Sequence, residues 1–330
     1  MVDLEKDSLP YINSNSEPKN YTLCKDGDIA FADASEDTND VAKAIEFKDC
    51  ANERVVCGLH TIHGRDNNNI TEIGFKGYAF SSDSFHKQIR RIAQGTKIYS
   101  INSKNFNETF IGIPSKEEQT KIASLLSLID ERISTQNKII EDLKKLKSAT
   151  RDRLFYNLVH TCNNECTFKD VLNYEQPSKY IVSDTEYCSD ESLIPVLTAN
   201  KAFILGYTNE EFGVYDKGQC IIFDDFTMDV KFVSFDFKVK SSAIKILTAK
   251  NYINLRFVYE YILYLNLVSK EHKRHYISEI EPINISIPNK STQFAISSIL
   301  SDINLKIDTT EKICLLFNRQ KQYLLQQMFI

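Results

Sequence analysis

IGIPSKEEQTKIASLLSLIDERISTQNKIIEDLKKLKSATRDRLF, residues Ile111–Phe155, is written a second time as ISIPNKSTQFAISSILSDINLKIDTTEKICLLFNRQKQYLLQQMF at Ile285–Phe329. The two stretches align without a gap, keeping throughout the offset that separates position 111 from position 285. Ile111, Pro114, Lys116, Gln119, Ile122, Leu126, Ile129, Ile133, Lys138, Ile139, Lys147 and Phe155 each recur unchanged at the repeated position. Solenoid units run to about 20–50 residues, so this period is too long for one. The chain instead reads as two large modules, each ending in the same helix.

The spacing within the repeat says what the helix needs. Pro114 and Ser115 mark its start, and Glu117 and Glu118 suit the positive end of the helix dipole. Apolar residues then advance by alternating steps of four and three. The first seam is Ile122, Leu126, Ile129, Ile133, Gln136, Ile140, Leu143, Lys147, Thr150 and Leu154. The second is Ile296, Leu300, Ile303, Ile307, Thr310, Cys314, Phe317, Lys321, Leu324 and Met328. A period of 3.5 sustained over about four heptads belongs to a coiled coil. Both seams are interrupted by polar residues at the same places, Gln136 and Thr310, then Lys147 and Lys321. Isolated polar seam positions cost stability and fix register. The expectation is an antiparallel pair of helices, about Lys116 to Phe155 and Lys290 to Phe329. Roughly 38 helical residues make a rod of about 57 Å.

Composition narrows the class. At 330 residues, 42% hydrophobic and 26% charged, the chain is long enough for two or three globular domains. No apolar run approaches the roughly 18 residues of a membrane span, and MVDLEKDSLP is too acidic for a secretory signal. Eight scattered cysteines, one of them in a seam, fit reduced thiols in a cytoplasm. His160, Cys162 and Cys166 crowd together, but no second pair follows at zinc spacing, so no metal site is expected.

Strand-like runs fill the remaining sequence. LIPVLTA (Leu193–Ala199), QCIIFDDF (Gln219–Phe226) and KFVSFDFKV (Lys231–Val239) lie in the second module, and the last alternates as one strand. A helix is expected at Asn254 to Ser269. GDIAFADA (Gly27–Ala34) is the counterpart of QCIIFDDF in the first module. The fold class is therefore α+β: two strand-rich domains, residues 1–113 and 158–287, separated by two long helices, residues 114–157 and 288–330, that form an antiparallel coiled coil.

The repeated phrase IPSKEEQTKIASLLSLIDERI and IPNKSTQFAISSILSDINLKI resembles the conserved-region signature of the specificity subunits of type I restriction–modification systems. Gln119 and Gln293 match the glutamine of that motif. Its glutamate is kept as Glu118 and replaced by Thr292 in the second copy. The resemblance implies two target-recognition domains that read the halves of a split double-stranded DNA sequence. It implies a coiled coil that spaces them and docks two methyltransferase subunits, with restriction subunits joining the complex. S-adenosylmethionine, ATP and magnesium are then expected on those partners, with no cofactor in this chain and no catalysis by it. Leu9, Pro10, Tyr11 and Ile12 match Ile194 to Leu197, which lie well inside the second module, so the first domain is expected to be shortened at its start.

A net charge of −5 is unusual for a DNA-binding chain, which directs attention to local basic clusters. His60, His63 and Arg65 lie in LHTIHGRDNNN. Arg90, Arg91 and Lys97 flank Gly95 and Thr96, a pair expected to let backbone approach a phosphate. Lys238, Lys240 and Lys245 surround Ser241 and Ser242, and Lys270, Lys273, Arg274 and His275 lie in SKEHKRHY. These are the expected phosphate and base contacts. Two alternatives compete: a coiled-coil scaffold without DNA specificity, and a metal-dependent endonuclease built on Asp225 and Asp236-Phe237-Lys238.

Overall fold

Both repeats begin with a side-chain cap. The Ser115 hydroxyl accepts from Glu118 N (3.4 Å) and the Asn289 carboxamide oxygen from Thr292 N (2.9 Å), satisfying N–H groups that a helix start leaves open. From there, in a computed structural model describing residues 2–3, 9–13, 21–50, 54–200, 202–269, 271 and 273–329, run a first spacer helix, Lys116–Thr161, and a second, Lys290–Met328. The first passes its expected end near Phe155. Phe155 and Leu158 are buried among Phe257, Tyr261 and other residues of the second module's core, which favours continuing the apolar helical face.

The chain forms two compact units, Met1–Ile139 with Thr310–Ile330, and Ile140–Thr309. Each unit holds one strand-rich domain and half of each spacer helix, so the folded units cut across the segments outlined by the sequence. In the first unit Lys321 Nζ donates to Asp130 Oδ1 (2.6 Å) and Cys314 Sγ to Asn137 Oδ1 (3.3 Å). Nearer the helix start, Leu126 shares a cluster with Leu325. Numbers rise along one helix as they fall along the other, so the pairing is antiparallel. In the second unit Lys147 Nζ donates to Asn304 Oδ1 at 3.0 Å. Lys147 and Lys321 are repeat-equivalent, as are Asp130 and Asn304, so one cross-helix pair occurs twice.

The seam residues lie inside these contacts. Leu126 and Leu300 are fully buried; Ile129, Ile140, Ile296, Ile307 and Cys314 are buried; Ile122, Ile133, Gln136, Leu143, Ile303, Thr310 and Phe317 are half-buried.

In the first unit a sheet runs in the order Val2–Asp3, Ala44–Lys48, Ile29–Ala32, Thr61–Gly64. In the second the order is Val230–Val233, Cys220–Asp224, Ile244–Ala249, Leu172–Glu175. Ile29–Ala32 and Cys220–Asp224 each pair antiparallel with a strand on either side. The continuous apolar run CIIFD suits a strand buried on both faces, and all five of its residues are buried. A second sheet in this unit places Ile194–Leu197 between Ile204–Thr208 and Lys238–Val239.

KFVSFDFKV is not one strand. It breaks after Val233, and Lys238–Val239 pairs in parallel with Ile194–Leu197 in the other sheet. The change of sheet sends Phe237 and Lys238 inward together, while Phe235 is 40% exposed. The helix expected to reach Ser269 spans Leu255–Tyr264, capped by Asn254, whose side chain accepts from Phe257 N; it ends just before Asn266, a non-glycine residue at φ 46°. All eight cysteines are free thiols, and among the described residues no helix is long and apolar enough to cross a membrane.

Candidate nucleic-acid interface

Each strand-rich domain is fastened to its spacer helix by the repeated glutamine. Gln119, 1% exposed, accepts from Glu72 N (2.8 Å) and donates to Pro114 O (2.9 Å) and Ile70 O (3.1 Å). Gln293, 2% exposed, accepts from Asn254 N (2.9 Å) and donates to Pro288 O (2.9 Å). A buried carboxamide needs both its donor and its acceptor satisfied, and each copy meets that need by joining domain backbone to the proline before the helix. Aromatic packing repeats alongside. Phe75, in the helix Phe75–Ala79, meets Phe329 at 5.6 Å between ring centroids; Phe257 meets Phe155 at 5.3 Å. Phe155 and Phe329 are themselves repeat-equivalent.

On these anchored domains the expected contact residues divide into two groups. Several are committed internally. Arg65 Nε donates to Asp28 Oδ1 (2.9 Å), Arg65 also donates to Leu23 O (2.8 Å), and His63 Nε2 meets Asp28 Oδ2 at 2.9 Å. Burial pushes the Asp28 carboxyl up, but bonds from Arg65, Lys25 N and His63 outweigh it and hold the group at about 2. Arg90 is shared between Asp83 and Asn39. Lys273 pairs with Glu271 and Glu279, each at 2.9 Å.

Lys238 and His275 correct the expectation outright. Lys238 is fully buried, bonded to Glu210 (2.7 Å) and Phe212 O (2.6 Å), with its ammonium 4.2 Å from the Phe212 ring centre. His275, 2% exposed, lies between Glu279 (Nδ1 to Oε2, 2.9 Å) and both Ser269 Oγ and Glu271 O (Nε2, 3.0 Å each); the Glu279 bond raises its pKa above the ordinary histidine value. Lys245, 3% exposed at the side chain, is likewise spent on Asp225 (3.2 Å). A buried cation needs a partner in the fold, and these three have found theirs.

Arg91, Lys97, Lys240 and Arg274 form the second group. All four are exposed, and among the described residues their side chains have no ion-pair or hydrogen-bond partner. His60 is exposed beside Asp33 (3.7 Å), Thr96 is exposed, and the exposed Ser241 accepts from Ala243 N (3.3 Å). Lys270 falls outside the described residues. Lys97 rides on a tight turn closed by Gln94 N to Ser100 O (2.9 Å) and Ser100 N to Gln94 O (2.8 Å). Gly95 has φ 142° there, and a Cβ would stand 1.9 Å from Ile98 O, so the glycine is required by the turn itself.

Lys240 and Arg274 are positioned through Asp225. Its backbone N donates to Ala243 O (2.9 Å), its carbonyl accepts from His275 N (3.0 Å), and its carboxylate accepts from His275 N (3.0 Å) and Tyr276 N (2.8 Å). One buried residue thus holds the two segments that carry these cations. The same bonds, with the Lys245 ion pair, account for Asp225 without catalysis, while Asp236 is exposed and Lys238 has its own partner in Glu210. Sequence reading missed this role because Asp225 and His275 are 50 positions apart.

Residues 51–145 match the family described as Type I restriction modification DNA specificity domain. A type I restriction enzyme specificity subunit of Escherichia coli is 44% identical over 165 residues, which cover 47% of this chain and 41% of that protein. A specificity subunit of Methanocaldococcus jannaschii is 29% identical over 105 residues, covering 32% and 24% respectively. The aligned stretch thus spans less than half of either curated relative. In fold, the chain is similar to the S subunit of a type I restriction–modification system from M. genitalium, with TM-score 0.64 and 18% identity over 96% of this chain and 86% of that one. It is similar also to a chain from a study of type I complex assembly and conformational transition, with TM-score 0.57 and 14% identity over 96% and 85%. The chain is thus similar in fold to specificity subunits of type I restriction–modification systems, and residues 51–145 carry the sequence match to their DNA specificity domain.

Proposed function

We propose that this chain is the non-catalytic, sequence-reading subunit of a type I restriction–modification complex in the cytoplasm. Its two strand-rich domains bind the two halves of a bipartite duplex target. Its spacer helices dock two methyltransferase subunits, and restriction subunits join through the complex. S-adenosylmethionine, ATP and magnesium belong to those partners.

The observation that carries this reading is the pattern of free and committed cations. Most of the candidate basic side chains are bonded internally, whereas Arg91 stands free in the last turn of the helix Asp83–Ile92, Lys97 on the Gly95 turn, and Lys240 and Arg274 beside segments held by Asp225. Unpartnered cations on ordered backbone suit contact with phosphate or with base edges. The family match at residues 51–145 supports the same reading.

The test is DNA binding by the assembled complex across a salt series. Where Lys97 and Arg274 meet phosphate, alanine at either weakens binding alike on all sequences and lowers the salt slope by about one. Loss confined to the cognate site, by about 1–3 kcal/mol, marks a base-reading residue. Four alanine variants that bind like the parent at every salt concentration would overturn the assignment of these cations. Magnesium-dependent cutting by the chain alone, lost in Asp236→Ala, would restore the endonuclease alternative.

A further inference from the structure

Cys24, Cys57 and His63 converge in the first unit, and DNA contact makes no use of the two thiols. One donor atom from each lies within 4.8 Å of the other two, and the sulfurs are 3.6 Å apart. The convergence is built by the backbone. Leu23 and Val56 form an antiparallel bridge, and Cys24 N donates to Val55 O at 2.8 Å, which sets the thiols side by side. His63 arrives from the strand Thr61–Gly64, where it pairs with Ala30. Asp28 holds its Nε2 at 2.9 Å, and Arg65 binds the same carboxylate.

These distances have a chemical meaning. With bonds of about 2.3 Å, two thiolates on a tetrahedral zinc ion stand about 3.8 Å apart, close to the sulfur spacing here. A disulfide would need the sulfurs at about 2.0 Å. A carboxylate bonded to one histidine ring nitrogen is the arrangement that orients metal-bound imidazoles. Two thiolates also cancel the charge of a divalent ion, which removes most of the penalty for burying it. The surrounding apolar cluster is small, with Cys24, Ala30, Phe47, Cys50 and Val55 as its buried members, so a bound ion would add cross-links where packing is thin.

We propose that Cys24, Cys57 and His63 form a three-ligand site for a zinc-like divalent cation, with Asp28 orienting the histidine and the fourth position taken by solvent or a further ligand. The set draws on two thiols and one imidazole, a combination that favours zinc over magnesium or calcium.

The experiment is metal analysis of the full-length chain, purified with reduced thiols and dialysed, followed by exchange into cobalt. The expected result is one zinc per chain. Cobalt substitution should give the visible bands of a tetrahedral ion together with thiolate-to-cobalt charge transfer. Cys24→Ser and Cys57→Ser should lose both signals, and Asp28→Asn should bind about 10–100-fold more weakly. Cys188→Ser, an exposed thiol in the other unit, should retain one ion. The parent protein's own metal content decides the matter even if a serine variant fails to fold. A parent with reduced thiols that takes up neither zinc nor cobalt overturns the proposal, as does a parent in which Cys24 and Cys57 are joined by a disulfide.

Discussion

The two units solve one problem with opposite placements of charge. In both, a seam lysine crosses to the neighbouring spacer helix beneath the helix of the strand-rich domain. In the first unit the acid is on the spacer: Lys321 bonds Asp130, and the domain supplies the neutral Tyr78 hydroxyl, which donates to the other Asp130 oxygen at 2.8 Å. In the second the spacer supplies neutral Asn304, and the acid is on the domain helix: Glu260 lies 3.2 Å from Lys147 and 3.6 Å from Arg151. Geometry is kept while the anion changes sides. A repeat therefore preserves the need for a counter-charge at a polar seam position rather than the residue that meets it.

Exposure makes the two solutions unequal, and that is where the comparison breaks most easily. Glu260 is 1% exposed at its side chain, whereas Asp130 is 39% exposed. Glu260→Ala strands two half-buried cations and should cost about 3–5 kcal/mol; Asp130→Ala, at a site open to water, should cost about 1 kcal/mol or less. Urea unfolding followed separately in each unit measures both, and equal losses would refute the asymmetry. Leu300→Ala and Leu126→Ala sharpen the opposite point. Both residues are fully buried at equivalent seam positions, so each should cost about 2–5 kcal/mol, and by similar amounts.

A smaller effect tests the glutamines. Gln293→Ala and Gln119→Ala leave a domain N–H and a proline carbonyl without their bonds, at a cost of about 1–3 kcal/mol each. Amide exchange at Asn254 and Glu72 should quicken in the matching variant only. The smallest effect is in pH dependence, and its sign differs between the units. Bonding to Glu279 raises the His275 pKa above its usual value of about 6.5. Its stabilisation of the second unit is therefore full below that value and lost as pH rises through the folded pKa. Asp28 is held at about 2, so its stabilisation of the first unit is full at neutral pH and lost as pH falls from about 4 toward 2. Hydrogen exchange between pH 6 and 8 should show loosening around His275 that His275→Gln abolishes. A parent-like profile in that variant would remove His275 as the cause.

What could be read in the sequence was whatever repeats at short range. Steps of three and four between Ile122, Leu126 and Ile129, or between Ile296, Leu300 and Ile303, mark the buried stripe without any knowledge of a partner. Period-two alternation misled at Phe235 to Lys238, because the chain leaves one sheet and enters another there. Lysine in such a pattern reads as outward, and it is Glu210 and the Phe212 carbonyl, 28 and 26 positions earlier, that turn Lys238 inward. Asp28 draws Arg65 and His63 from the basic loop in the same way, and Cys24 meets Cys57 across 33 positions. Local periodicity fixes helices and seams, while the assignment of each charge depends on pairings that close long loops.

The division of the spacer helices also bears on how the protein is made. The first strand-rich domain and residues up to Ile139 leave the ribosome early, yet their unit is completed by Thr310–Ile330. Leu126 waits for Leu325, and Phe75 for Phe329. At synthesis rates of about 5–20 residues per second, that wait is on the order of ten to forty seconds. The second unit, contiguous from Ile140 to Thr309, can close in the meantime. The half of the protein that is translated first is thus the half that finishes last, and during the interval the apolar stripe around Leu126 is open to chaperones or to a neighbouring nascent chain.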